Sequence, residues 1–70
     1  MASMIDINIL WDDEAKVWIA ICNEIGLALE SKSYDVLLGR VRLAAPEMAE
    51  LNRIDYTDFN IITMTKNERN

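Results

Sequence analysis

The alternation of apolar residues near the start of the chain constrains the fold more than any other feature of the sequence. Every second residue from Ile5 to Trp11 is apolar, and the residues between them are Asp6, Asn8 and Leu10. Successive side chains of a β-strand point to opposite faces of a sheet. The segment therefore predicts a first strand with one strongly apolar face that must be buried.

A second strand is predicted at Val17–Cys22, which is rich in β-branched and aromatic residues. The polar residues 12–16 separate it from the first strand, and the length of this loop decides the register. A five-residue loop places Ile9 opposite Ile19 and gathers the isoleucines on one face, whereas a four-residue loop would pair Ile9 with Trp18 and mix the faces. Because burial of one face fixes the register, we favour the five-residue loop.

Two further strands complete the predicted sheet. A turn at residues 23–26 precedes a short third strand, Leu27–Ser31, and a fourth strand is predicted at residues 59–65 after a helix. A crossover through the helix would place the last strand parallel to the first, with the helix on the isoleucine face. The predicted fold class is α+β: a single domain of residues 1–70 with the order β-β-β-α-β, a four-stranded mixed sheet and a frayed tail at residues 66–70.

The helix is predicted from an amphipathic pattern that begins after Ser33, a good N-cap residue. Asp35 suits the first turn, where the helix dipole favours an anion. Apolar residues recur at helical spacing at Tyr34, Leu37, Leu38, Val41, Ala44, Ala45, Met48 and Leu51. The pattern continues in phase through Pro46, which predicts one helix kinked near the proline; two short helices are the alternative.

The residue types exclude several kinds of chemistry. The 70 residues include one cysteine, Cys22, and no histidine, so neither an intramolecular disulfide nor a structural zinc site is expected. No glycine-rich phosphate loop and no nucleophile with a matching base is present. We therefore predict no enzymatic activity, no metal and no cofactor. A core of this size supplies only about 3–5 kcal/mol of stability, so we expect a homo-dimer or higher homo-oligomer, a protein partner, or both.

The charge of the chain bears on its partners and location. Twelve acidic residues against seven basic ones give a net charge of −5, which argues against direct binding of nucleic acid and suits a basic protein. The longest apolar run, Val17–Cys22, is too short to span a membrane, and the first residues do not form a secretory signal. These features predict a cytoplasmic protein that does not bind membranes.

Two apolar surfaces are candidates for contact with a partner. In the favoured register the open face of the sheet carries Leu10, Trp18, Ala20 and Ala28, with Trp18 as an exposed aromatic anchor. The alternative is that loop residues such as Tyr56 cover Trp18. The outer face of the helix carries a narrow strip made of Val36, Gly39 and Leu43, for which scattered surface residues are the simpler interpretation.

Two segments carry a resemblance to a known family. Residues 9–20, ILWDDEAKVWIA, and residues 45–52, APEMAELN, resemble the DUF1902 family. That family is similar to the N-terminal domain of HicB-type antitoxins, which have a partial ribonuclease H-like fold. The resemblance extends over residues 5 to about 62 and implies the same β-β-β-α-β order. One departure is that Ile25, Gly26 and Leu27 lack the proline that HicB-like domains usually carry at this turn.

The resemblance implies a HicB-like antitoxin of a type II toxin-antitoxin system, which binds and sterically inhibits a small basic RNA-cleaving toxin of the HicA type. We expect no DNA-binding domain, since the sequence ends at Asn70. For toxin contact we predict Leu10, Trp11 and Trp18, with an acidic rim formed by Asp12, Asp13 and Glu14.

Two other functions stay open. One is a stand-alone oligomeric interaction domain without a toxin partner. The other is a metal-dependent nuclease, because the order of elements is that of the first part of the ribonuclease H fold, where carboxylates hold two metal ions. Asp6 in the first strand is the suggestive residue. Glu30 and Asp58 do not complete a carboxylate cluster with it, so we disfavour the nuclease.

Overall fold

The computed structural model describes residues 4–64 and has the element order that the sequence predicts. The strands are β1 (Met4–Asp12), β2 (Val17–Cys22), β3 (Leu27–Ser31) and β4 (Asp58–Met64), and helix α1 spans Tyr34–Leu51. The sheet order is β3-β2-β1-β4, with β1 antiparallel to β2 and parallel to β4. The α+β fold is confirmed, as is the position of the last strand beside the first. The tail predicted at residues 66–70 lies outside the described residues.

The core lies between α1 and one face of the sheet. Ile5, Ile7 and Ile9 of β1 are completely buried there, together with Leu37 and Val41 of the helix. Burying a side chain of this size contributes about 1.5–3 kcal/mol, so the alternating isoleucines are a main source of stability. The prediction that the helix packs on the isoleucine face is confirmed for the isoleucines of β1.

Helix α1 begins and continues as the sequence predicts. The backbone N–H of Val36 donates to Oγ of Ser33 at 3.2 Å, which is the geometry of an N-cap. The helix runs through Pro46 without interruption, so the alternative of two short helices is wrong. Leu51, expected in the apolar stripe, is 77% exposed. It is the last residue of α1 and lies about 100° around the helix from the centre of the buried stripe formed by Leu37, Val41, Ala45 and Ala49.

The end of α1 is tied to the turn between β2 and β3. The side-chain amide of Asn52, the C-cap residue, donates to the carbonyl oxygens of Met48 at 2.9 Å and Ile25 at 3.1 Å. Gly26 has a φ of +69°, a conformation that glycine adopts without a steric cost. The turn therefore forms without the proline of HicB-like domains.

The register of β1 and β2 differs from the favoured prediction. Four residues, 13–16, join the strands, so that Asp12 pairs with Val17 and Ile9 pairs with Ala20. The favoured pairing of Ile9 with Ile19 is wrong by one residue, and the pairing with Trp18 expected for a four-residue loop is wrong by two. A shift of one residue moves every β2 side chain to the other face. The turn itself accounts for the difference, because the Asp12 carboxylate accepts hydrogen bonds from the backbone N–H groups of Glu14 and Ala15 at 3.0 and 3.2 Å.

Packing under the helix agrees with this register. Ala20 and Cys22 lie on the helix face and are buried, whereas Ile19 and Ile21 lie on the opposite face. Small side chains at these two positions let α1 approach β2 closely. The expectation that Ala20 lies on the open face is therefore wrong, and the thiol of Cys22 is a buried part of the core.

A candidate protein-docking surface on the open face of the sheet

The face of the sheet opposite α1 carries a band of apolar side chains. The register places five of them near its centre, and we call these residues the open-face patch: Leu10, Ile19, Ile21, Ile62 and Met64. All five are at least partly exposed, and Met64 is 48% exposed. α1, the single helix of residues 4–64, packs against the other face and leaves this patch uncovered.

The strand pairing makes the patch continuous. Leu10 of β1 lies opposite Ile19 of β2 and beside Met64 of β4, while Asn8 lies between Ile21 and Ile62. Directly paired residues on neighbouring strands have Cβ atoms about 4.5–5.5 Å apart, so their side chains touch. A contiguous exposed apolar patch with a polar border is typical of a protein-interaction site.

The turn between β1 and β2 adds negative charge at one end of the patch. A depression of about 500 Å³ lies there, lined by Leu10, Trp11, Asp12, Asp13, Glu14 and Ile19. Five of the six predicted contact residues are therefore brought together. Ile19 was missed because the favoured register placed it in the core. The four-residue turn between Asp12 and Val17 is the signal that would have found it.

The three carboxylates of the turn have different roles. Asp12 caps backbone N–H groups of the turn, as described above. Asp13 forms an ion pair with Lys16 at 3.2 Å and accepts a hydrogen bond from the indole N–H of Trp11 at 3.3 Å. The Glu14 side chain is exposed and makes no hydrogen bond or ion pair within residues 4–64. Glu14 is thus the carboxylate of this turn that is best placed to meet a partner.

Trp18, the sixth predicted contact residue, lies on the helix face. Its ring centroid is 5.2 Å from that of Trp11 and 4.9 Å from that of Tyr34, whose hydroxyl is 2.6 Å from Oγ1 of Thr63. Trp18 is half-buried and closes one end of the core. The prediction of an exposed anchor on the open face is wrong, because the one-residue difference in register turns the indole to the other side.

The second predicted surface, the outer strip of the helix, is present. Val36 is 50% exposed, Leu43 is 79% exposed, and a Cβ added at Gly39 would meet no atom within 4 Å. Arg40, at the edge of this strip, donates from Nη1 to the backbone carbonyl of Glu30 at 3.3 Å. The strip is narrow compared with the open-face patch, so we regard the sheet face as the principal candidate.

The acidic residues of the sheet bear on the nuclease alternative, which requires grouped carboxylates. Asp6 lies on the exposed face of β1, where its carboxylate accepts a hydrogen bond from the side-chain amide of Asn60 at 3.3 Å. Within residues 4–64, no three acidic or cysteine side chains are grouped so that they hold a metal ion. No helix in the same range is long and apolar enough to cross a membrane.

The fold and the uncovered face define a class of small α+β domain, with one sheet face packed on a helix and the other presented to its surroundings. The chain belongs to the family described as "Domain of unknown function (DUF1902)", whose model matches residues 4–69. The resemblance to this family that the sequence predicts is therefore confirmed.

One solved structure is similar to this chain over nearly its whole length. It is the crystal structure of hypothetical protein TTHA1013 from the extremely thermophilic bacterium Thermus thermophilus. The identity is 26% and the TM-score is 0.76, with 94% of this chain and 99% of that chain covered. None of the curated proteins matches the sequence. The structural match supports the four-stranded sheet with one helix.

Proposed function

We propose that this protein is a HicB-like antitoxin of a type II toxin-antitoxin system that acts in the cytoplasm. It binds a small basic RNA-cleaving toxin of the HicA type and inhibits it sterically. The observation that carries the proposal is the open-face patch, which lies beside an acidic turn and is covered by no element of the described residues 4–64. Membership of the DUF1902 family supports it, because that family is similar to the N-terminal domain of HicB-type antitoxins.

The size of the sheet face indicates how far the contact extends. Four strands about 4.8 Å apart and about 20 Å long cover about 400 Å². A stable protein interface buries about 800 Å² on each partner, so the toxin must also contact surface beyond the sheet. The turn at residues 13–16 adjoins the patch and supplies that surface. The depression that Leu10 and Ile19 share with the turn joins the two parts.

Charge gives this surface a preference for a basic partner. The chain has a net charge of −5, and Glu14 presents an uncompensated carboxylate next to the patch. Opposite potentials accelerate association and disfavour partners of the wrong sign. The apolar patch would then supply most of the affinity, and the carboxylates would steer the toxin to it. Inhibition requires only that the antitoxin cover the RNA-binding surface of the toxin.

The proposal is tested by co-expression with a short basic protein encoded beside the antitoxin reading frame. The chain should relieve the growth arrest that this protein causes and should co-purify with it. Ile19→Asp, which places a charge in the patch, should abolish both effects. Leu51→Asp is the matched control, since it adds the same charge at an exposed site that belongs to neither candidate surface. A folded Ile19→Asp protein that still neutralises the toxin would contradict the proposal.

A further inference from the structure

The two edge strands of the sheet differ in how their backbone groups are protected. β3 has five residues, and its Glu30 carbonyl accepts a hydrogen bond from Arg40. β4 has seven residues, and its one charged residue is Asp58 at the first position. Proteins usually protect edge strands with short length, charges, proline or bulges, and β4 pairs with β1 without a bulge. Within residues 4–64, nothing protects this edge of β4.

A second feature lies at the same edge. A cleft of about 470 Å³ separates α1 from β4, since the helix lies mainly over β3 and β2. Phe59 and Ile61 of β4 line this cleft and are only partly buried. The ring of Tyr56 packs on Phe59 with centroids 4.4 Å apart. Strand β4 therefore has both exposed backbone groups and apolar side chains that are incompletely covered.

We propose that β4 pairs antiparallel with β4 of a second copy of this chain, about a twofold axis near Ile61. The two four-stranded sheets then become one continuous sheet, and Phe59 and Ile61 of each copy are covered by the other. In this arrangement the two Asp58 carboxylates lie about 20 Å apart, given a rise of about 3.3 Å per residue. A parallel pairing would bring them together, which makes the antiparallel arrangement the favoured one.

Charge identifies a second copy as the occupant. Two chains of net charge −5 repel each other except where their surfaces are locally neutral. The cleft beside β4 is such a place, because Arg42 and Asp58 both line it and their charges are equal and opposite. A basic partner gains no attraction at this edge and is drawn instead to the acidic turn. Self-pairing at β4 does not depend on toxin binding and leaves the open-face patch available.

Sedimentation equilibrium of the full chain tests the proposal. The wild type should form dimers, and Asn60→Lys should raise the dimer dissociation constant about ten-fold or more, because lysine on an edge strand opposes pairing. Asn60 is exposed, and a lysine at this position retains a partner in Asp6, so the fold should persist. Ala28→Lys adds the same charge at an exposed site on β3 and should leave the constant unchanged.

Hydrogen–deuterium exchange then identifies the strand involved. Amides of β4 should become more protected as the protein concentration rises, whereas the amides of β3 should not. A monomer at all concentrations, or a dimer whose β4 amides exchange as in the monomer, would overturn the proposal. If the β4 amides become protected only when the basic toxin is added, the toxin and not a second copy binds this edge, and the proposal is overturned as well. Ile19→Asp, on β2 and away from the β4 edge, should still dimerise although it loses toxin binding, so this proposal and the toxin-binding proposal fail separately.

Discussion

The two faces of the sheet contain the same type of residue in different surroundings. On the helix face, Ile5, Ile7 and Ile9 are completely buried. On the open face, Ile19 and Ile62 remain partly exposed, and no element within residues 4–64 covers them. Leaving large apolar side chains in water forgoes the free energy of burial. Stability accounts for the apolar residues of the helix face, whereas contact with another molecule is what we propose for those of the open face.

The largest expected effect comes from placing a charge on each face in turn. Ile7→Asp should unfold the domain, because it buries an unpaired carboxylate in a protein whose total stability is only about 5 kcal/mol. Ile19→Asp should remain folded, since water reaches the open face. Circular-dichroism melting of the two variants makes the measurement. If both substitutions unfold the domain to the same extent, the open face is also buried from water.

Trp18→Ala tests the placement of Trp18 with the helix face. The substitution removes ring contacts with Trp11 and Tyr34 and should lower the free energy of unfolding by about 2 kcal/mol, less than for a fully buried tryptophan. Urea denaturation gives this value. Binding of the toxin to the remaining folded protein should be unchanged. If toxin binding is lost while the free energy of unfolding is unchanged, Trp18 contacts the toxin and does not belong to the core.

Leu10→Ala should show the opposite behaviour. Leu10 is central to the open-face patch, so its truncation should weaken toxin binding by at least about ten-fold while changing the free energy of unfolding by about 0.5 kcal/mol or less. Calorimetric titration and urea denaturation measure the two quantities on the same sample. If the free energy of unfolding falls as much as it does for Trp18→Ala, Leu10 contributes to stability like a helix-face residue, which contradicts the distinction between the two faces.

Glu14→Gln should have the smallest effect. Removal of this exposed charge should slow association with the toxin about two-fold at low ionic strength and have no effect at high salt, where exposed charges are screened. Stopped-flow association rates at two salt concentrations provide the test. Lys16→Gln, which removes a positive charge from the same turn, should change the rate in the opposite direction. A salt-independent effect of Glu14→Gln would argue for a structural role.

The sequence predicts the helix face well because its signals are redundant. The alternation in β1 marks one face without ambiguity, and Ser33 with the spacing of Leu37, Val41 and Ala45 marks the start and inner face of α1. Each signal agrees with the others, so the order of elements and the position of the core follow from the sequence. The identification of the DUF1902 family rests on separate segments and is also confirmed.

The open face could not be predicted equally well, because β2 has no polar residue to mark its outer side. All six residues of Val17–Cys22 are apolar, so both registers leave an apolar set on each face. The choice depends on one residue of turn length, which the hydrogen bonds of the Asp12 carboxylate decide. The misplacement of Trp18 and the omission of Ile19 both follow from this single ambiguity.

Methyl NMR of isoleucine-labelled protein tests the central claim most directly, because isoleucines report on both faces in one spectrum. On titration with the basic toxin, the methyl signals of Ile19, Ile21 and Ile62 should shift or broaden. The signals of the buried isoleucines of β1 should remain in place. Unchanged open-face signals in a sample that contains the bound toxin would contradict the claim that this face is the docking surface.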